Sequence, residues 1–363
     1  MSRRLLAFLP ALALLVTWVA CLSSAPAQAG GLLAFQVPTP VDGGSDAADS
    51  ATDGPDSAPP FNTPINIASV GDSFAADYEG TNPPVEGLTY TPPLASTFTG
   101  YPYQGAYLLQ QAGYTNVSFT SYGISGTSLW QWLAQSGSFS IPTPVAGAKN
   151  VLIDSIGTND SIMYSTEGGF GWQQLSSYTP IATVRGTVSG TAYLFRTTTG
   201  GRSGAGAAPF NAASLTGPTI DGSITWTLSS TTQALADVET NYPVLTAAQA
   251  AAGWLVIATP WIPLCDAADI QLPQTITNRD AQRIAFGSFI TAAAGSSGIA
   301  YTQQWQNDPF FSTPGYPTAC NGSTLLCYGA NCYNGDGVHF ADKGGEYAGT
   351  TYTFPAIFYA ISH

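Results

Sequence analysis

The residues Ile65-Asn66-Ile67-Ala68-Ser69-Val70-Gly71-Asp72-Ser73 decide how this chain folds. Ile65 to Val70 is a short, mostly apolar run that is typical of a buried strand, and Gly71 permits a tight turn directly after it. A serine at the carboxyl end of a central strand lies where open α/β sheets bind ligands. The stretch therefore predicts a strand that presents the hydroxyl of Ser73 at one end of a sheet.

Further short apolar runs alternate with helical stretches along the rest of the chain. The other predicted strands are Val117 to Tyr122, Val151 to Ile156, Trp254 to Thr259 and Ile299 to Thr302. The predicted helices are Gln104 to Ala112, Leu235 to Ala252 with a kink or break at Pro243, Arg279 to Ala294, and a last helix from about Lys343. This alternation is typical of a parallel sheet covered by helices on both faces. We therefore expect an α/β fold with a five-stranded parallel sheet.

The stretch from about Ala182 to Ser229 interrupts the alternation of strands and helices. It is rich in Thr, Ser and Gly, with scattered Val, Tyr, Phe and Trp, and turn residues recur at short intervals. This pattern favours small antiparallel strands. We predict that 182–229 is a β-rich module inserted into a domain that spans 61–363.

The N-terminal residues are typical of an export signal. Arg3 and Arg4 precede the apolar run Leu5 to Val19, and Ala27-Gln28-Ala29 supplies small residues for cleavage. The apolar run is too short for a stable membrane span, and no later run is long enough to be one. We predict a signal peptide at 1–29 and a secreted or periplasmic mature protein, with lipid anchoring through Cys21 as the alternative.

The composition after the signal limits the partners of the protein. Residues 30–60 contain few large apolar side chains, which predicts a disordered acidic linker. Over the whole chain, 9 Lys and Arg residues stand against 22 Asp and Glu residues, for a net charge of −13. Because affinity for phosphate backbones rests on Lys and Arg, nucleic acid is not an expected partner.

Four cysteines follow the predicted cleavage site: Cys265, Cys320, Cys327 and Cys332. In an exported chain, four cysteines indicate two disulfides, and the spacing leaves their pairing open. A zinc site is the alternative, but the chain has no Cys-x-x-Cys pair and few histidines that could act as ligands.

The histidine content restricts the choice of a catalytic base. The chain has two histidines, and His363 is its last residue, so a histidine base would be His339. Asp336 precedes it by three residues, a spacing that lets a carboxylate reach one ring nitrogen while the other faces the site. The alternative is that both are surface residues with no joint role.

Two further polar clusters follow the second and third predicted strands: Gly123-Ile124-Ser125-Gly126 and Gly157-Thr158-Asn159-Asp160. Acyl transfer needs donors aimed at the oxygen that becomes negative, and an uncrowded backbone N–H or an Asn amide is suited to this. The alternative is that the glycines make turns and that Asn159 or Asp160 caps a helix.

In this order and at these strand ends, the four clusters resemble the SGNH hydrolase family, also called GDSL esterases and lipases. The resemblance runs from Ile65 to the C-terminus, apart from the insertion, and implies a flavodoxin-like α/β/α sandwich. It implies that Ser73 is the nucleophile, that Asp336 and His339 complete a catalytic triad, and that the oxyanion hole comprises the N–H groups of Ser73 and Gly126 and the side chain of Asn159.

The sequence also departs from the family pattern. Phe74 stands where Leu gives the GDSL name, and Phe340 follows the histidine where Pro is usual. No Asn precedes Gly123, so Gly123 remains an alternative to Gly126 as the glycine that donates to the oxyanion.

The resemblance implies a serine ester hydrolase that acts through an acyl-enzyme on Ser73, with no metal or organic cofactor. Export, the β-insertion and the aromatic content favour O-acetyl groups on a polysaccharide as the substrate, although a lipid or short-chain ester remains open. Five tryptophans could stack on sugar rings or form buried core: Trp130, Trp132, Trp172, Trp261 and Trp305.

Three other functions are alternatives to the esterase. A polysaccharide O-acyltransferase would use the same residues but deliver the acyl group to a sugar hydroxyl. A non-catalytic surface-binding protein would use the insertion as its binding surface. A glycosidase would need two carboxylates flanking a glycosidic bond, and no such pair stands out.

Overall fold

A central six-stranded sheet organises the part of the chain that the structure, a computed structural model, describes: residues 58–77, 80–161, 173–261, 276–305, 308, 339–340 and 342–363. The strands of the described residues, in chain order, are β1 (Ile65–Gly71), β2 (Thr89–Tyr90), β3 (Val117–Gly123), β4 (Lys149–Ser155), β5 (Ser177–Tyr178), β6 (Thr183–Val188), β7 (Thr191–Arg196), β8 (Gly201–Arg202), β9 (Thr219–Asp221), β10 (Ile224–Leu228), β11 (Leu255–Ala258) and β12 (Ile299–Thr302).

The strand order of the central sheet is β12-β11-β4-β1-β3-β2. β1 pairs in parallel with β3 and β4, and β11 pairs in parallel with β4 and β12. The five predicted strands are confirmed as this parallel set. Taken in chain order they lie as 2-1-3-4-5, the doubly wound order of flavodoxin-like proteins. The sixth strand, β2, pairs antiparallel with β3 at the edge and was not predicted, because two residues make no detectable pattern.

Two hydrophobic clusters cover the two faces of the sheet. Ile67 of β1 and Ile153 of β4 belong to one cluster, whereas their neighbours Ala68 and Leu152 belong to the other. Successive side chains of a strand point to opposite faces, so this division assigns each cluster to one face. All seven residues of β1 are buried, as expected for a central parallel strand covered on both sides.

The described residues form eight α-helices: α1 (Ser73–Ala76), α2 (Tyr101–Gln111), α3 (Leu129–Leu133), α4 (Thr158–Ser161), α5 (Thr231–Ala251), α6 (Ile276–Ala292), α7 (Asp342–Ala348) and α8 (Phe354–Ser362). The cluster of Ile67 packs against residues of α2 and α8, and that of Ala68 against residues of α5 and α6. These helices thus cover both faces of the sheet, which confirms the predicted α/β class.

Helix boundaries differ from the sequence prediction where local signals were ambiguous. α5 continues through Pro243 rather than ending there. The predicted C-terminal helix consists of α7 and α8 joined by a π-helical turn at Gly349–Thr353. Within the described ranges, no helix has the combination of length and apolarity that a membrane crossing requires.

Short antiparallel strands occupy the stretch between α4 and α5. β6, β7, β10 and β9 form a four-stranded sheet in that order, and β5 pairs with β8. We call Ser177–Leu228 the β-module. Its strands begin at Ser177, upstream of the predicted boundary at Ala182, and its interior contains Tyr178, Phe195, Phe210 and Trp226.

Several sequence predictions fall on residues outside those described. They concern the signal peptide 1–29, most of the linker 30–60, Cys21, Cys265, Cys320, Cys327 and Cys332. They remain predictions.

Candidate active site

The turn after β1 presents Ser73 at the first position of α1. Gly71 has a φ of 136°, and a Cβ at this position would lie 2.2 Å from the carbonyl oxygen of Ser155 in the neighbouring strand. Only glycine fits this approach. Asp72 caps α1, since its Oδ1 accepts a 3.0 Å hydrogen bond from the N–H of Phe74. The turn thus holds the Ser73 hydroxyl at the carboxyl end of β1.

His339 lies beside this hydroxyl. Its Nε2 is 2.7 Å from the Oγ of Ser73, across 266 positions of sequence, and both side chains are buried. A histidine within hydrogen-bond distance of a serine hydroxyl can take its proton as the oxygen attacks. The structure therefore brings together the serine and the histidine that the sequence selected.

Two phenylalanines surround the histidine. The rings of Phe74 and His339 have their centroids 5.2 Å apart, and Phe340 meets Phe74 edge to face at 6.1 Å. Both positions depart from the family pattern. Phe74 and Phe340 pack against each other, and Phe74 also packs against the imidazole. Asp336, the predicted partner of His339, lies outside the described residues.

The strand order of the central sheet explains why Ser73 and Asn159 lie at the same edge of the sheet. β1 and β4 are neighbours, and the connections that follow them lead to opposite sides of the sheet. Ser73 follows β1, and Asn159 follows β4 after the turn at Gly157. In open α/β sheets, ligands bind in the crevice outside the strand ends at such a switch point. The two residues flank this crevice.

Hydrogen bonds tie the three loops that border the crevice. The Nδ2 of Asn159 donates to the main-chain carbonyl of Thr127 at 2.8 Å, and the N–H of Leu129 donates to Oδ2 of Asp160 at 2.8 Å. The hydroxyl of Thr127 lies 3.2 Å from the carbonyl oxygen of Gly71 and 2.9 Å from that of Ile124, and shares its one hydrogen between them. Thr127 therefore connects the loops after β1, β3 and β4. The sequence analysis missed it, since a threonine in a polar loop carries no distinguishing signal.

Three donors are candidates for an oxyanion hole. The N–H groups of Ser73 and Gly126 donate to no other group among the described residues. Asn159 has a second N–H on the amide nitrogen that bonds Thr127, and that bond orients it. Among the described residues, no hydrogen bond prevents these three groups from facing a developing negative charge.

Gly123, the alternative to Gly126, has a packing role. A Cβ on Gly123 would lie 2.3 Å from the backbone nitrogen of Ala76 and 2.5 Å from the carbonyl carbon of Ala75. The glycine thus lets β3 approach α1, the helix that begins with Ser73. Gly126 has a φ of 75° and lies in the turn that Thr127 closes by donating to the carbonyl of Ile124 at 2.9 Å.

Three buried carboxyl groups lie close to the serine. Burial raises the pKa of Asp72 to about 7, opposed by the N–H of Phe74 and by the nearby His339. Burial likewise raises the pKa of Asp160 to about 7 against the hydrogen bond from Leu129. Burial also raises the pKa of Asp154 in β4 to about 7, against the hydrogen bond that this carboxyl accepts from Gln249. Burial therefore disfavours the charged form of all three carboxyl groups.

Within the described ranges, no three His, Cys, Asp or Glu side chains lie close enough together to share a metal ion. Four of the five candidate sugar-stacking tryptophans are buried in hydrophobic clusters: Trp130, Trp132, Trp261 and Trp305. For these four the core interpretation is correct. Trp172 lies outside the described residues.

The fold and the site together define a doubly wound α/β protein with a serine–histidine pair at the switch point of its sheet. No family model and no curated protein matches the sequence.

Among solved structures, the fold is similar to a catalytic variant of an acetylxylan esterase from Geobacillus stearothermophilus, with a TM-score of 0.41 and 12% identity over 82% of this chain and 95% of that chain. It is also similar to an extracellular lipase from Streptomyces rimosus, with a TM-score of 0.36 and 13% identity over 81% of this chain and 98% of that chain. A third similar structure is phospholipase A1 from Streptomyces albidoflavus, with a TM-score of 0.34 and 12% identity over the same shares.

Proposed function

We propose that this protein is a serine esterase that hydrolyses carboxylic esters through an acyl-enzyme on Ser73. The observation that carries the proposal is the 2.7 Å distance between the Oγ of Ser73 and the Nε2 of His339. Serine is a weak nucleophile at neutral pH unless an adjacent base takes its proton, and His339 is placed to do so. The switch-point position of the pair adds support.

The chemistry proceeds in two halves. As Oγ bonds to the ester carbonyl carbon, its proton moves to Nε2 of His339, and the carbonyl oxygen becomes negative opposite the N–H groups of Ser73 and Gly126 and the amide of Asn159. Collapse of this intermediate breaks the bond to the alcohol oxygen, which takes the proton from Nε2. Water then attacks the acyl-enzyme, gives a proton to Nε2, and the acid leaves as Oγ regains that proton.

Asp336 is the proposed partner of the second ring nitrogen of His339. A carboxylate there would hold the imidazole in the tautomer that leaves Nε2 unprotonated before attack, and would stabilise the imidazolium afterwards. This role rests on the three-residue spacing between Asp336 and His339.

For the substrate we propose an O-acetylated glycan, cleaved outside the cell. The export pattern at 1–29 and the β-module that follows β4 and α4, the helix containing Asn159, support this choice, because a module at that place can contact distant parts of a large substrate. Lipids and short-chain esters would use the same acyl-enzyme.

The decisive experiment combines labelling with turnover. An organophosphonate should add to Ser73, identified by peptide mass spectrometry, and Ser73→Ala should abolish hydrolysis of nitrophenyl acetate while the exposed Ser138→Ala retains it. Full turnover in Ser73→Ala would overturn the proposal. Acetylated oligosaccharides with and without sugar acceptors then separate hydrolysis from acyl transfer, which would yield acylated acceptor instead of free acid.

A further inference from the structure

The hydrophobic core of the β-module includes one side chain from outside the module. Its aromatic cluster includes Trp130, which belongs to α3, the helix that follows the loop of Gly126. The rings of Trp130 and Tyr178 have their centroids 4.4 Å apart at an angle of 34°, and Tyr178 in turn meets Trp226 edge to face at 5.0 Å. One side chain from α3 thus packs among the aromatic rings inside the module.

A second set of contacts holds the module against α5. The Nε of Arg196 lies 2.6 Å from Oδ2 of Asp237, and the same carboxylate oxygen accepts from the hydroxyl of Thr183 at 3.2 Å. Leu194 of the module and Ala234 of α5 form a small buried pair beside the ion pair. The module is therefore anchored to α5 and to α3 together, rather than joined to the sheet through its two ends alone.

Helix α3 is itself tied to the candidate oxyanion groups. Leu129, directly before Trp130, donates to Asp160, and Thr127 accepts from Asn159. The main-chain carbonyl of Trp130 accepts a 3.2 Å hydrogen bond from the N–H of Ala134. The backbone that carries the indole is therefore held within this short helix. A shift of Trp130 would therefore be transmitted within a few residues to both Thr127 and Asn159.

We propose that the β-module positions the oxyanion donors of the esterase, with Trp130 as the positioning residue. Insertion of Trp130 among the module's aromatic rings fixes α3, and α3 fixes the loop of Gly126 and the amide of Asn159. This inference rests on the proposed esterase function. It assigns the module a part in the chemical step, in addition to the contacts with a large substrate proposed above.

Substitutions on both sides of the contact test the proposal. Trp130→Ala removes the ring from α3, and Tyr178→Leu removes its partner ring from the module. Each should lower kcat on nitrophenyl acetate by about tenfold to a hundredfold with KM nearly unchanged, because small misplacements of catalytic groups have effects of this size. If the module served only to bind a large substrate, kcat on this small ester should stay unaltered.

Two conservative variants serve as matched controls. Trp130→Phe keeps an aromatic ring in the module and removes no hydrogen bond to a described residue, since the indole N–H has no partner among them. It should recover most of the kcat lost in Trp130→Ala. Tyr178→Phe keeps the ring and removes only the hydroxyl, which accepts from the N–H of Gln173 at 2.6 Å and donates to the carbonyl of the same residue at 3.3 Å, so its kcat should stay close to wild type.

Hydrogen exchange of the peptide covering 124–134 provides a readout that does not depend on turnover. Exchange should be faster in Trp130→Ala and in Tyr178→Leu than in their phenylalanine counterparts. Unchanged exchange together with wild-type kcat in Tyr178→Leu would overturn the proposal, even if Trp130→Ala fails to fold. If the wild-type protein hydrolyses no ester, the proposed function fails, and unchanged exchange would still separately refute the coupling of module to loop.

Discussion

The side-chain amide of Asn159 donates a 2.8 Å hydrogen bond to the main-chain carbonyl of Thr127. An amide nitrogen carries two hydrogens, so this bond uses one and fixes the direction of the other. The same contact joins the loop after β4 to the loop after β3. Asn159 thus makes a structural bond with one amide hydrogen, and substitution can test whether the other serves the proposed oxyanion hole.

Replacing Asn159 tests its part in the oxyanion hole. Asn159→Ala should lower kcat on nitrophenyl esters by about 10²–10³-fold with little change in KM, because the donor acts on charge that exists only in the transition state. Steady-state kinetics on a folded variant measures this. A kcat near that of the wild-type protein would mean that Asn159 serves only to tie the two loops together.

Thr127 should act through the residues that it connects. Thr127→Val keeps the shape of the side chain but removes the hydroxyl that bonds Gly71 and accepts from the indole N–H of Trp132 at 3.1 Å. Leaving that buried donor without a partner should reduce the free energy of unfolding by about 1–3 kcal/mol. We also expect a lower kcat, since the loops bearing Ser73 and Gly126 lose their link.

The matched control for this substitution is Thr127→Ser, which keeps the hydroxyl and loses only a methyl group. It should recover most of the lost kcat. Urea denaturation and kinetics on both variants distinguish the effects. Equal kcat values in the valine and serine variants would show that the hydroxyl has no positioning role.

Gly123 should be intolerant of a side chain because of its contact with α1. In Gly123→Ala the added methyl group would overlap the backbone of Ala75 and Ala76, so α1 must move and carry Ser73 away from His339. We expect a lower melting temperature and a large loss of kcat. Gly206→Ala is the control, since a Cβ there meets no atom within 4 Å. A variant at Gly123 that matched this control would contradict the close approach seen between β3 and α1.

The buried carboxyl groups predict how stability depends on pH. Burial raises the pKa of Asp154 to about 7, so between about pH 4 and that value the folded protein holds a proton that the unfolded chain releases. The free energy of unfolding should therefore fall as the pH rises through this window. Burial also raises the pKa values of Asp72 and Asp160, so these two carboxyl groups should likewise lower the free energy of unfolding as the pH rises.

Asp154→Asn isolates one of these contributions. Asparagine cannot ionise, but its carbonyl can still accept the 2.6 Å hydrogen bond from Nε2 of Gln249. Scanning calorimetry from about pH 5 to about pH 8 should show a weaker decline in melting temperature than in the wild-type protein. The exposed Glu86→Gln should leave the decline unaltered. Parallel curves for Asp154→Asn and the wild-type protein would show that this carboxyl does not titrate in the window.

Local patterns in the sequence were enough to predict the parallel sheet and to select Ser73 and His339, which the structure brings together. The apolar runs that became β1, β3, β4, β11 and β12 were long enough to detect because parallel strands are buried on both faces. Ser73 could be selected because it follows such a run, and His339 because the only other histidine is the last residue. Neither inference required a contact between distant parts of the chain.

Contacts between segments that are distant in sequence were decided by the tertiary structure alone. The distance from Ser73 to His339 depends on the strand order, and no local pattern encodes which strands become neighbours. Thr127 is recognisable as a connecting residue only once Gly71 and Asn159 have been brought to the same crevice. Trp130 likewise could have packed on a sugar, on the sheet or in the β-module, because an apolar ring buries favourably against many surfaces. Its burial among the rings of the module follows from the position of α3, which the sheet order and the ties between the loops determine together.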